Sequence, residues 1–333
     1  MSKINPRPDQ PVVIGIDLGG TNLRVSAIDP LGRILARRKE RSQFDAGPGP
    51  TIERISTAVA ELQAELPHRP LRAIGIGAPG PVDPETGTIL AAPHLPHWHD
   101  VALAHEVEQS TGLLTVLDND ANAAALGEAQ YGAGRGVRNM VYITVSTGIG
   151  GGVIVDGRLL RGEHGAAAEL GHMTIWWDGR ACPCGNRGCL EAYASGTALA
   201  ERARELMANG RESVLARHKK NLDAVAIAEA AQGGDRLSQE LISDAGTALG
   251  VGIRGLIHLF DPALVVVGGG VSLIGAPLWE PLRRVIEADA MENYPKRVRV
   301  VPTELGDDPG VLGAAMLARE ALDSAGSEEV GGQ

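Results

Sequence analysis

Two stretches of this 333-residue chain share one plan: an apolar β-branched run, a turn of glycine and threonine, and a second apolar run. The first is "VVIGIDLGGTNLRVSAID" (12–29) and the second is "MVYITVSTGIGGGVIVDG" (140–157). Short β-branched runs broken by glycine read as strand, turn, strand. A hairpin repeated at this distance marks the opening of two similar halves. Between and after them, "TIERISTAVAELQAEL" (51–66), the Ala-rich stretch after Asp120, most of 196–260 and "VLGAAMLAREAL" (311–322) carry helical spacing. "LRAIGIGAPGPVD", "LLTVLDND", "ALVVVGGGVS" (263–272) and "RVRVVPTEL" read as further strands. Strands alternating with helices in two halves imply an α/β protein with two mixed sheets, and a cleft between the halves is the default ligand site.

The length suits two α/β domains. The expected division is a smaller N-terminal domain, 11–119, completed by the helix 311–322, and a larger domain, 120–310, carrying the cysteine loop 182–189. Residues 1–10 and 324–333 are polar and glycine- or proline-rich, and are expected to lack order. The net charge of −10 argues against nucleic-acid and anionic-membrane partners. No run approaches the ~18 apolar residues of a membrane span, and the N-terminus lacks the apolar core of a signal peptide. The expected location is the cytoplasm.

The glycine turns "GIDLGGTN" (15–22) and "STGIGGG" (146–152) have neither P-loop nor dinucleotide-fingerprint spacing. One such turn alone is a plain hairpin. Two matched turns, with Gly268, Gly269 and Gly270 ending another strand, point to nucleotide phosphates held by backbone N–H groups. Thr21 and Thr147 add hydroxyl donors, and Asp17 is placed either to hold Mg²⁺ beside phosphates or to cap its own turn.

All three cysteines lie in "CPCGNRGCLE" (182–191). C-x-C-x₄-C closes loops too short for an easy disulfide and lacks redox-motif spacing. Thiolates this crowded suit a tetrahedral Zn²⁺ site with Cys182, Cys184, Cys189 and a histidine, His172 first and His164 second. Four protein ligands make such a metal structural. "HLPHWH" (94–99) reads as an ordinary loop.

Asp120 stands at a strand-to-helix junction, where open α/β sheets place reactive groups. It is either a base for a hydroxyl attacking a phosphoryl group or the N-cap of the following helix. Asp118 competes for the first role. Glu169 and Glu191 are carboxylates that suit a polar ligand's hydroxyls.

"DLGGTN", "ND" at 119–120, "STGIGGG", "ELGH" and "CPCGNRGCLE", in this order, resemble the ROK family (repressors, open reading frames and sugar kinases) over about residues 12–322. "GEHGAAAELGHMTI", the cysteine loop and "EAYASG" look most like the family's bacterial ATP-dependent glucokinases. The resemblance implies an actin-like, ribonuclease-H-like ATPase fold, two α/β domains around a central cleft, assembled as a homodimer or homotetramer. It implies transfer of the γ-phosphate of Mg·ATP to the 6-hydroxyl of glucose. Asp120 would be the base. Asn119, Glu169, His172 and Glu191 would bind the sugar hydroxyls, and His172, Cys182, Cys184 and Cys189 a structural Zn²⁺. Asp17, Gly19, Gly20, Thr21, Thr147 and Gly148 would contact phosphates and Mg²⁺, with Gly268–Gly270 near the nucleoside. Loss of the zinc is then expected to cost sugar affinity and to spare nucleotide binding.

Two features depart from the family pattern. "APHLPHWHD" puts His94 and His97 in a loop that is often "APNLPGW", and Asn22 stands where many members have lysine. The loop change leaves the exact hexose open, and fructose, mannose, N-acetylglucosamine and N-acetylmannosamine, with similar hydroxyl arrays, are rival sugars. Polyphosphate is a rival donor, against which the nucleotide-like glycine turns weigh. A sugar-responsive repressor is the rival from another class. The short polar stretch before the first strand and the acidic charge weigh against it.

Overall fold

A computed structural model describes residues 11–91, 97–218, 222–288 and 297–331; the expected tail at 1–10 and the replacement at His94 lie outside them. The chain begins with the first hairpin, β1 (Val12–Leu18) and β2 (Asn22–Ile28), followed by β3 (Ile34–Arg41) and α1 (Pro48–Glu65). Helix α1 forms because Thr51, Ile55, Ala58, Val59 and Leu62 fall on one buried face, with proline at its start and Pro67 beyond its end. Strand β4 (Leu71–Ala78) leads into three short strands, β5 (Val82–Asp83), β6 (Thr88–Ala91) and β7 (His99–Val101). Then come α2 (Leu103–Thr111), β8 (Leu114–Asn119) and α3 (Asp120–Tyr131).

The second hairpin follows as β9 (Met140–Val145) and β10 (Ile149–Val155), with β11 (Arg158–Leu159). After the cysteine loop come α4 (Glu191–Ala194), α5 (Gly196–Ala208), α6 (Ala224–Gln232) and α7 (Arg236–Phe260). The chain continues through β12 (Leu264–Gly268), α8 (Ala276–Glu287), β13 (Arg299–Pro302) and α9 (Pro309–Gly331). Strand β12 stops at Gly268, the first of the three glycines expected to end it; Gly269 adopts a φ of 83° and turns the chain. Helix α9 continues to Gly331, so residues 324–331 are helical where composition suggested no order.

The repeat is real at the level of topology. One five-stranded sheet has the order β3-β2-β1-β4-β8 and the other β11-β10-β9-β12-β13. In each, the hairpin pairs antiparallel and its first strand pairs parallel with the strand that follows. A third sheet, β5-β6-β7, was not foreseen, because its strands are too short to show a period.

The chain forms two compact units: residues 1–136, 159–167 and 304–333, and residues 137–158 with 168–303. The sequence placed a boundary at 119/120 and made the first domain the smaller. Instead α3 belongs to the first unit, which is the larger. The cause is the packing of α3 on α9: a Cβ added at Gly313 would run into the carbonyl of Ala123, so the two helices meet backbone to backbone.

The first unit's main sheet is covered on both faces. Val12, Ile14, Ile16, Ile74 and Ile76 pack with Ile55, Leu62, Leu103 and Val107 on one side. Val13, Ile28 and Ala73 pack with Val311, Leu312 and Ala315 of α9 on the other. On that second face Gly15 and Gly75 sit side by side in register. A Cβ at either would strike a carbonyl oxygen of α9, that of Val311 or Ala314. Glycine weakens a strand interior and is kept where another backbone must come close. Gly75→Ala is therefore expected to cost about 3 kcal/mol in urea unfolding, as an overpacked core does. Gly49→Ala, in α1 where a Cβ meets nothing within 4 Å, should stay within about 0.5 kcal/mol.

Candidate functional site

The end of β8 sorts two neighbouring carboxylates into different jobs. Asp118 has a side chain only 1% exposed. One of its oxygens accepts from the backbone N–H of Asn119 at 2.7 Å and from Nδ2 of Asn122 at 2.9 Å, and the other from Nε of Arg161 at 2.7 Å. Buried and committed to protein donors, it is no base for a bound hydroxyl. Asp120 is only partly buried and sits in the first turn of α3. It is not the N-cap. Asn119 is, its Oδ1 accepting from the N–H groups of Ala121 at 2.9 Å and Asn122 at 3.3 Å. Asn119 has the extended backbone that a cap needs, while Asp120 is already helical. Gly77 lets this helix start abut β4, since a Cβ there would crowd Ala123 and the Cα of Asp120.

In the same unit, Asp17 stands one residue before the end of β1 and pairs with Arg24 on β2 at 2.6 Å. Burial pushes the Asp17 carboxyl up, against the opposing pull of Arg24. The turn between the strands is closed by the Gly19 N–H donating to the carbonyl of Asn22 at 3.0 Å. Gly20 and Thr21 are exposed at its tip. A Cβ on Gly20 would meet nothing within 4 Å, so the protein itself does not require glycine there. Such a tip lets a ligand come close to the backbone of Gly20 and Thr21, the behaviour of an anion cradle.

The second unit builds its counterpart differently. The turn Ser146–Ile149 joins β9 to β10, and Thr147 is exposed. Glu191 lies across it, accepting from the N–H of Ile149 at 2.8 Å. A Cβ on Gly148 would fall 2.6 Å from the same carboxylate oxygen, so this glycine makes room for Glu191. The carbonyl of Ser146 accepts from the N–H of Gly196 at 2.7 Å, and that of Thr147 from the N–H of Thr197 at 3.2 Å. Of the three glycines at and after the end of β12, Gly268 and Gly269 are required by Tyr142 and Val145, whereas Gly270 is exposed with nothing near a Cβ.

"ELGH" is a single 3₁₀ turn, Leu170–His172, pressed onto β10. A Cβ at Gly171 would strike the Ile149 carbonyl, and one at Gly151 would strike Leu170. This packing aims His172 at the cysteine loop and leaves Glu169 exposed. His172 Nδ1 lies 3.7 Å from Sγ of Cys182, and the sulfurs of Cys184 and Cys189 are 3.7 Å apart. One donor atom from each of the four residues lies within 4.8 Å of the others. A tetrahedral zinc site needs sulfurs about 3.8 Å apart and sulfur to nitrogen about 3.6 Å. The cluster fits that ion with no open position. His172 joins it through Nδ1, and His164 belongs to the other unit.

The loop is held by backbone pairing of Cys182 with Asn186, and of Ile175 with Gly188. Arg180 adds a two-pronged pair with Glu205, the bond that draws the Glu205 carboxyl down to about 2. Burial pushes the Cys189 thiol up to about 12 and raises Cys182, while a backbone N–H donated by Asn186 lowers Cys184. A divalent ion must displace thiol protons to bind here, so its affinity falls as pH falls.

Sequence reasoning missed Arg161 altogether. Nothing local marks it, because its partner Asp118 is 43 residues away. It also missed the link from Glu191 to the Ser146–Ile149 turn, which has no signature in spacing. Among the described residues, no helix is long and apolar enough to cross a membrane.

The ROK family profile matches residues 13–321. A glucokinase of Thermotoga maritima is 39% identical over 93% of this chain and 98% of its own length. A putative xylose repressor of Caldicellulosiruptor is 35% identical over 93% of this chain and 79% of its own. Among solved structures, a ROK family glucokinase from Streptomyces griseus in complex with glucose and AMPPNP superposes with a TM-score of 0.80 at 36% identity. That match covers 93% of this chain and 99% of the other, and its actin-like ATPase fold is the fold of this protein.

Elemental analysis is expected to find one zinc per chain and to lose it in Cys184→Ser. The bonds from Glu191, Gly196 and Thr197 to the Ser146–Ile149 turn revise the expectation that nucleotide binding is spared. Calorimetric titration of the variant with an ATP analogue should show weakened binding, and unchanged affinity would restore the earlier view.

Proposed function

This chain belongs to the ROK family, and on that premise we propose that it is a glucokinase, transferring the γ-phosphate of Mg·ATP to the 6-hydroxyl of glucose. The observation that carries the reading is the sorting of the two carboxylates at the end of β8. Both oxygens of the buried Asp118 are held by protein donors, whereas Asp120, with Oδ1 on the N–H of Ala121, is presented at a partly exposed helix start. Phosphoryl transfer asks a protein chiefly to position reactants and stabilise charge, with one carboxylate to accept the hydroxyl proton. Asp120 takes that proton as the hydroxyl oxygen attacks the γ-phosphorus and ADP leaves.

The other roles follow residue by residue. Nδ2 of Asn119, Glu169, His172 through Nε2, and Glu191 bind the sugar hydroxyls. The N–H groups of Gly20, Thr21, Thr147 and Gly148 hold phosphate oxygens, with the threonine hydroxyls beside them, and Gly19, whose own N–H closes the turn, lets the phosphates approach its backbone. Gly268, Gly269 and Gly270 line the nucleoside, and the open space at Gly270 supports that placement. Asp17, which pairs with Arg24, would hold Mg²⁺, and the ion would supply neutralisation of charge on the phosphates. His172, Cys182, Cys184 and Cys189 would hold zinc, which would supply stiffness and no reactive position. The protein is cytoplasmic and assembles as a homodimer or homotetramer; sedimentation checks the assembly.

Asp120→Asn is expected to lower kcat on the order of 10³-fold or more while glucose still binds. Near-normal turnover would remove the base from the mechanism. A coupled assay across glucose, mannose, fructose, N-acetylglucosamine and N-acetylmannosamine, with ATP and polyphosphate as donors, should give its highest kcat/KM with glucose and ATP. No phosphorylation of any hexose, together with sugar-dependent DNA binding in a mobility shift, would favour a repressor.

A further inference from the structure

We propose that Arg161 is a positioning residue for phosphoryl transfer: through Asp118 it fixes the turn that carries Asp120. The proposal rests on the kinase reading above. Arg161 comes from a nine-residue segment, 159–167, that belongs to the first unit although its neighbours on both sides belong to the second. Around it, Gly162, Glu163 and His164 are exposed. The segment's polar anchor is the guanidinium, whose Nε donates to Asp118 at 2.7 Å.

The other bonds of Asp118 all run into one turn. Its second oxygen accepts from the backbone N–H of Asn119 and from the side chain of Asn122. Those two residues bracket Asp120 on either side. Asn119 in turn caps the helix through the N–H groups of Ala121 and Asn122. A carboxylate 1% exposed needs a charged partner to stay in place. Arg161 is that partner, and Glu320 of α9 faces the same pair. Removing the guanidinium leaves Asp118 buried against donors on one oxygen only. The turn then loosens, and with it the direction of the Asp120 carboxylate.

The test uses Arg161→Met, Arg161→Lys, Asp120→Asn and the double variant Arg161→Met/Asp120→Asn in the full chain. Arg161→Met is expected to lower kcat on the order of 10²-fold, the effect of a displacement near 1 Å, with KM for ATP changed by less than about two-fold. Arg161→Lys, which keeps a charge but loses the fixed fork, should recover part of kcat. In the Asp120→Asn background, Arg161→Met should add less than about three-fold, because the group it orients is gone. Hydrogen exchange is the readout independent of activity: the amides of Ala121 and Asn122 should exchange about ten-fold faster in Arg161→Met. Equal losses of kcat in both backgrounds, or unchanged exchange at 121 and 122, would overturn the proposal. A wild-type chain that phosphorylates no hexose sinks the kinase reading; exchange at 121 and 122 then decides whether Arg161 fixes this turn.

Discussion

Backbone lying directly on backbone is the contact on which the rest of this structure depends. Helix α9 rests on the paired glycines of β1 and β4, and α3 meets α9 where Gly313 faces the Ala123 carbonyl. In the second unit the Leu170–His172 turn rests on β10 in the same manner. The chain has 44 glycines and only 3% aromatic residues, so its layers come close through small residues rather than through large interlocking ones. Protein interiors are packed too tightly to absorb an added carbon without movement. The close layers therefore fix the ends of β1, β8 and β9, where the two glycine turns and Asp120 are found.

From that frame the chemistry at the end of β8 follows by hydrogen-bond accounting. A helix start has N–H groups without intrahelical partners, and here Asn119 satisfies two of them. Asp118 satisfies the next layer and is itself neutralised by Arg161. Asp120 lies at the partly exposed edge, its Oδ1 accepting from the N–H of Ala121 at 2.8 Å. Its neighbours, more than its own residue type, set it apart from the carboxylate two positions earlier.

The cysteine loop acts in the second unit as a rigid corner. Its four donor side chains converge at tetrahedral spacing. Glu191, two residues past Cys189, carries that rigidity into the turn at Gly148, and α5 adds two backbone bonds. A loop too short and polar to build a core of its own thus supports the turn assigned to phosphates.

The sequence by itself determined the repeated hairpins, the α/β class, the family and the donor set at Cys182, Cys184, Cys189 and His172. Each of these is written in residues near one another, as a period, a turn or a spacing. The extent of α9 was less legible, because its polar end carries no apolar stripe. Only the tertiary structure decided that Asn119 and not Asp120 caps α3, that Asp118 is buried, and that α3 joins the first unit. It alone brought Arg161 to Asp118, 43 residues away. The reason is physical: local periodicity encodes which face of an element is apolar, whereas a buried charge finds its partner only when distant segments pack.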